Sequence, residues 1–367
     1  MLASAAIQAA INGICPYFTM FPLDFPLGIL APRAKLRHRV LDPFCGRGTT
    51  NFAARLLGLE SLGVDSSPVA VAITASKLVN TTIDEIMADA QAILSSGIPA
   101  TVPKGAFWRW AYHRDVLQSL CRFRAAILAD CSTPARIALR GIILGALHGP
   151  KQKTFPSYFS NQCPRTYAPK PAYATRFWQS RSLKPENVDV LGVIERRAKR
   201  YFSDLPSTLG SVRLSDSRLS HSFEPPVSGQ KFDWVITSPP YYGMRTYIPD
   251  QWLRHWFVGG PDVVDYSNRN QVVHTSHDDF AGDLRRVWRN VAAACSAEAQ
   301  LVIRFGGITD RRTDPKEVIR KSLEDSCWRV TTIKSAGTAS EGKRQADSFL
   351  RTISTPLTEY DVWARKY

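Results

Sequence analysis

The sequence has no stretch apolar enough to cross a bilayer: its longest apolar run, IALRGIILGAL at 137–147, is too short and carries Arg140. The N-terminal residues lack the basic cluster that opens a secretory leader. The seven cysteines (Cys15, Cys45, Cys121, Cys131, Cys163, Cys295 and Cys327) are odd in number, scattered and never spaced CxxC. That excludes a disulfide frame and a zinc ribbon, and predicts reduced thiols in a cytoplasmic protein with no metal site. Repeats and long low-complexity tracts are absent. Acidic residues are scarce: 32 Asp+Glu face 47 Lys+Arg, a net charge of +15 and a pI near 9.7. Such a surplus directs the protein to a polyanion, nucleic acid before an anionic membrane. At 367 residues and 44% hydrophobic content the chain can build one large domain or two.

Residues 39–84 read strand, glycine turn, helix, strand, helix, the pattern of a parallel sheet with crossover helices. Further strands are predicted at 211–216, 232–237, 300–305, 328–334 and 360–365. Between 277 and 297, Phe280, Leu284, Val287, Trp288, Val291 and Cys295 recur at helical spacing, with Ser276 and Asp279 placed for a capping box. Residues 85–205 differ. Their first half reads as helices, and 151–200 holds 11 Lys/Arg against 3 Asp/Glu with seven aromatics interleaved. The expected organisation is an α/β domain of residues 1–84 and 206–367, interrupted by a mainly helical, basic module at 85–205.

Two local signals bear on a ligand. VLDPFCGRGTT sets Gly46 and Gly48 between a strand and a helix N-terminus, where a backbone can approach a negatively charged group. The third glycine of a dinucleotide fingerprint is replaced by Asn51. Asp65 ends the next strand, where an acid can accept ribose hydroxyls or cap the following helix. Asp216 ends the third strand. The second signal is WVITSPPYYG: a strand running into Ser238, Pro239, Pro240 and Tyr241, where two prolines must stop the ladder.

Together these residues resemble the S-adenosylmethionine-dependent amino-methyltransferases of DNA, whose cofactor turn is FxGxG and whose catalytic motif is (D/N/S)PP(Y/F/W). Phe44, Gly46 and Gly48 match the first, and Ser238 to Tyr241 the second. The upstream YFTMFP is similar to the segment that packs on the methionine end of the cofactor. The resemblance implies a Rossmann-like sheet of seven strands, mostly parallel, with one antiparallel strand near the C-terminus. It implies S-adenosyl-L-methionine bound by Phe18, Phe21, Pro22, Asp42, Phe44, Gly46, Gly48, Asp65 and Asp216. It also implies double-stranded DNA as substrate, cytosine N4 ahead of adenine N6 because the lip begins with serine, a nucleoid location, and a cognate restriction endonuclease as a fitting partner. Arg47 departs from the family, which has a small residue there. No Pro-Cys pair occurs, so the covalent route to cytosine C5 is excluded, and no GxSxG elbow makes the serine a hydrolase nucleophile.

The lip suits this chemistry. An exocyclic amine is a poor nucleophile because its lone pair is delocalised into the ring. Ser238 Oγ and the Pro239 carbonyl can accept its N–H groups, and the prolines hold that carbonyl rigidly. Tyr241 is expected to stack on a base flipped out of the duplex. In the basic module Lys153, Arg165, Lys170, Arg176 and Arg181 are the expected phosphate contacts, with Tyr167, Tyr173 or Trp178 available to stack or wedge. The rival readings are an RNA base amino-methyltransferase and a silent DNA-binding subunit.

Overall fold

The computed structural model describes residues 10–17, 21–149, 156–163, 169–224, 229–242, 251–264, 276–306, 314–338 and 358–367. Seven strands form one sheet: β1 (Arg39–Asp42), β2 (Glu60–Asp65), β3 (Gly210–Leu214), β4 (Phe232–Thr237), β5 (Cys295–Gly306), β6 (Trp328–Thr338) and β7 (Thr358–Lys366). Their order is β3-β2-β1-β4-β5-β7-β6, and only β7 runs antiparallel to its neighbours. The expected Rossmann-like sheet is therefore present.

The helices are α1 (Asp24–Leu30), α2 (Thr49–Leu56), α3 (Pro68–Ser76), α4 (Ile83–Ser95), α5 (Ala106–Ala111), α6 (Arg114–Ala129), α7 (Pro134–Ala146), α8 (Pro171–Gln179), α9 (Val190–Tyr201), α10 (Trp252–Phe257), α11 (His277–Ala294) and α12 (Pro315–Leu323). Helix α11 starts where the sequence places it, with the Ser276 hydroxyl accepting Asp279 N–H at 3.0 Å. The stretch 107–129, expected to be helical, breaks into two helices because Tyr112 and His113 are extended. Strand β5 begins at Cys295, earlier than its apolar run suggests.

The described residues fall into two compact units. The sheet unit takes its residues from 17–74, 206–245 and 268–367. Its strands alternate between two cores, as a pleat requires. Leu41, Val235, Leu301 and Ile303 face one with α11 and α12, while Val40, Trp234, Ile236 and Val302 face the other with α1 and α2. Both faces are thus covered, which is why all four residues of β1 are buried, Arg39 and Asp42 included.

The helical unit takes its residues from 1–16, 75–205 and 246–267. The unit ends at 205, as the expected module does, but it begins at 75 instead of 85 and also takes in 10–16 and 251–264. The reason is packing. Ile11 and Ile14 are buried, Lys77 Nζ donates to Asn12 Oδ1 at 3.0 Å, and Trp252 and Trp256 enter an aromatic core with Phe107 and Trp108. Periodicity marks such residues as core without saying which core.

Candidate cofactor and catalytic site

The strand order reverses between β1 and β4, and in open α/β sheets a ligand binds outside the carboxyl ends of the strands at that point. β1 and β4 pair in register, Val40 with Trp234 and Leu41 with Val235. The glycine turn leaves β1 and the Ser-Pro-Pro-Tyr lip leaves β4, so the two motifs sit side by side at the switch point. Thr237, the last residue of β4, joins them: its hydroxyl donates to Asp42 Oδ1 at 2.6 Å. Phe44 N–H donates to the same oxygen at 3.1 Å. Asp42 Oδ2 is buried without a hydrogen-bond partner among the described residues. Burial drives the Asp42 carboxyl up to about 7, against the opposing bonds from Thr237 and Phe44.

The turn itself is held by backbone. Gly46 and Gly48 lie at φ +51° and +73°, and Gly48 N–H donates to Cys45 O at 2.7 Å. A Cβ on Gly48 would stand 2.5 Å from Thr74 Cγ2 of α3. That threonine's hydroxyl donates to Gly46 O at 3.0 Å. The missing third glycine has a structural explanation. Asn51 is fully buried and donates to Ser61 Oγ, and the close approach falls on Gly63 of β2, where a Cβ would lie 2.8 Å from Asn51 Oδ1. Helix and strand thus meet closely with the glycine on the strand side.

Asp65 closes β2 and accepts two backbone N–H groups, from Gly46 at 2.9 Å and from Ser67 at 2.8 Å. Burial raises its pKa, and these bonds oppose the rise. Asp65 therefore ties the glycine turn to β2. The cap of α3 is Ser67, whose Oγ accepts Ala70 N–H, and not Asp65 or Ser66. Asp216 lies two residues beyond β3, its carboxylate gripped by Arg218 at 2.6 Å; these bonds hold its pKa below the usual range. Arg218 also reaches Asp283 at 3.1 Å. Next to Asp216, the Ser217 hydroxyl donates to Pro43 O, joining the β3 exit to the β1 turn. Phe44 packs edge-on to Trp288, with ring centroids 6.0 Å apart.

At the lip Ser238 and Pro240 are half-buried and Pro239 is buried. Tyr241 departs from its expected display. Its ring is 8% exposed, lies edge-on to Phe305 at 5.3 Å, and its hydroxyl donates to Glu359 Oε1 at 2.7 Å. A ring so packed is a wall of the core; it is not an open stacking face. Thr237, Thr74, Ser217 and Glu359 are site residues that the sequence motifs do not include. Thr237 has a signal in its place beside the lip, whereas Glu359 has none.

Of the upstream segment, Phe18 lies outside the described residues. Phe21 packs edge-on to Phe25 of α1 at 5.1 Å, and Pro22 O accepts Phe25 N–H at 3.1 Å. Of the expected phosphate contacts, Lys153 and Arg165 lie outside the described residues, as does Tyr167. Lys170, Arg176 and Arg181 are exposed at or beside α8 in the helical unit. There Arg181 covers the Phe177 ring at 4.2 Å, and Phe177 stacks with Tyr173 at 6.5 Å. Trp178 is not a wedge: it is fully buried, with Nε1 donating to Gln162 O. Trp252 likewise belongs to the helical core and donates to Pro169 O. All seven cysteines are free thiols. No helix among the described residues is long and apolar enough to cross a membrane.

No protein-family model matches the chain, and no curated protein matches it. Among solved structures it is similar to the rRNA methyltransferase AviRa of Streptomyces viridochromogenes, at 14% identity and a TM-score of 0.34 over 98% of this chain and 92% of that one. A second is a SAM-dependent methyltransferase of Methanosarcina mazei, at 8% identity and a TM-score of 0.36 over 95% and 99%. A third is the magnesium protoporphyrin IX methyltransferase of Synechocystis with bound SAM, at 10% identity and a TM-score of 0.34 over 94% and 78%.

Proposed function

We propose that the chain transfers a methyl group from S-adenosyl-L-methionine to the exocyclic amine of a base in DNA, cytosine N4 ahead of adenine N6. The observation that carries this reading is the pairing of β1 with β4, which sets the glycine turn and the Ser-Pro-Pro-Tyr lip together at the sheet's switch point. The unpartnered, buried Asp42 Oδ2 at that point fits a ligand that brings a donor. Asp42, the Gly46–Gly48 turn and Asp65 are the residues that would hold the cofactor, with Asp216 at its nucleobase end and Phe21, Pro22 and Phe44 as apolar support.

When bound, the cofactor supplies an electrophilic methyl group. The protein's own part is to make the amine nucleophilic. Ser238 Oγ and the Pro239 carbonyl accept the amine's N–H groups, and the fixed φ of two successive prolines keeps these acceptors from rearranging. Thr237 anchors the lip from below by its bond to Asp42. The reading needs no protein nucleophile, in keeping with buried cysteines at Cys45 and Cys295. The net charge of +15 and the exposed Lys170, Arg176 and Arg181 favour a nucleic-acid substrate.

The test is incubation with labelled S-adenosylmethionine and mixed-sequence duplex DNA, with RNA alongside, then digestion to nucleosides and mass identification. N4-methylcytosine is the expected product. N6-methyladenine would keep the mechanism and change the base, label in RNA alone would move the substrate, and label in neither would overturn the reading.

A further inference from the structure

Glu359 takes no part in either motif, and nothing in the sequence around it marks it. It is 8% exposed and stands on β7, the antiparallel strand of the sheet. That direction matters: the first residues of an antiparallel strand lie at the edge where its parallel neighbours end. In register, Glu359 pairs with Gly306, the last residue of β5. A Cβ on Gly306 would come within 3.1 Å of Glu359 Cγ and 3.3 Å of Tyr241 Cε2. The bare glycine is therefore what lets the glutamate and the tyrosine meet, their oxygens 2.7 Å apart. Phe305 closes the seat from the side.

We propose that Glu359 is the positioning residue of the Ser-Pro-Pro-Tyr lip, fixing Tyr241 through its hydroxyl and, two residues upstream, the Pro239 carbonyl that faces the amine. The inference rests on the amino-methyltransferase reading. The prolines restrain the chain up to the Pro239 carbonyl but leave ψ of Pro240 free, and with it the seat of Tyr241 that closes the lip. A buried hydrogen bond to β7, two strands away in the sheet, removes that freedom, and misplacement of about 1 Å can cost about a hundredfold in rate.

The experiment compares Glu359→Ala, Glu359→Gln, Tyr241→Phe and the double variant Tyr241→Phe/Glu359→Ala, each by steady-state methyl transfer to DNA, by cofactor titration calorimetry and by equilibrium unfolding. Glu359→Ala should lower kcat by about ten- to a hundredfold with cofactor affinity unchanged. Glu359→Gln should restore most of it, because its amide oxygen accepts the same proton. Tyr241→Phe should match Glu359→Ala, and the double variant should be no worse than either. Wild-type kcat in Glu359→Ala overturns the proposal while the amino-methyltransferase reading stands. So does a loss that glutamine fails to restore, or additive losses in the double variant, since either reduces Glu359 to a structural residue. If the wild-type protein methylates no base, the reading itself fails and the proposal falls with it.

Discussion

The hydroxyl of Thr237 donates to Asp42 Oδ1 at 2.6 Å, so the last residue of β4 is tied to the last residue of β1 inside the core. Both residues are almost wholly buried. Without the threonine hydroxyl, Asp42 Oδ1 keeps the Phe44 N–H, and the loss of one such buried bond costs about 1 kcal/mol. Thr237→Val should therefore destabilise the protein by that amount in chemical denaturation and lower methyl transfer further, because the lip loses its anchor. Unchanged stability and turnover would detach Thr237 from the site.

The same carboxyl sets a pH dependence. Burial lifts Asp42 to about 7 in the fold, from the ordinary value near 4. Between those values the native state holds more protons than the unfolded chain, so stability falls as pH rises through the window and levels off above it. The slope is at most about 1.4 kcal/mol per pH unit. Denaturation of the wild type and Asp42→Asn between pH 4 and 8 checks this: the asparagine variant should lose the slope.

The two turn glycines should differ. Gly48→Ala meets both a positive φ and Thr74 at 2.5 Å, whereas Gly46→Ala meets the φ strain and only an ordinary 3.6 Å approach to Tyr17. The expected cost is about 1–2 kcal/mol for Gly46→Ala and distinctly more for Gly48→Ala. Equal melting temperatures for the two variants would contradict the packing described.

Ser238→Ala should reduce kcat by about a hundredfold and leave cofactor binding intact, since the reacting amine is then deprived of one preorganised acceptor. Asp65→Ala should do the reverse and abolish tight cofactor binding by releasing the N–H groups of Gly46 and Ser67. Calorimetry beside kinetics separates the two.

For the basic surface, replacing Lys170, Arg176 and Arg181 by alanine should weaken DNA binding at low salt. It should also flatten the dependence of log affinity on log salt by about 0.9 for each phosphate that is no longer neutralised. An unaltered salt slope would place the polyanion elsewhere.

Much of this is legible in the sequence, and what is not has physical causes. The run FDWVIT is β4 to the residue, because a fully buried strand and its proline stop are both local features. The glycine turn and Asp65 stand out by spacing, yet the actual work of Asp65, holding Gly46 and Ser67, depends on a fold that brings residues 19 apart into contact. The lip motif by itself presents Tyr241 as an open stacking ring, because a motif is local and the partner that buries this one lies 118 residues on. Trp252 follows the lip in sequence but packs with Phe107 and Trp108, a choice of core that no window of sequence encodes.

β7 also orders events in time. It follows β6 in the chain but lies between β5 and β6 in the sheet. On the ribosome β6 is made before the strand that joins it to β5, and among the described strands the sheet gains β6 only once residues 358–366 have emerged. A nascent chain halted before that point would carry the whole glycine turn and the whole lip, with Tyr241 still unlatched. A chain truncated before residue 358 would thus hold both motifs without the strand that carries Glu359, the hydrogen-bond partner of Tyr241.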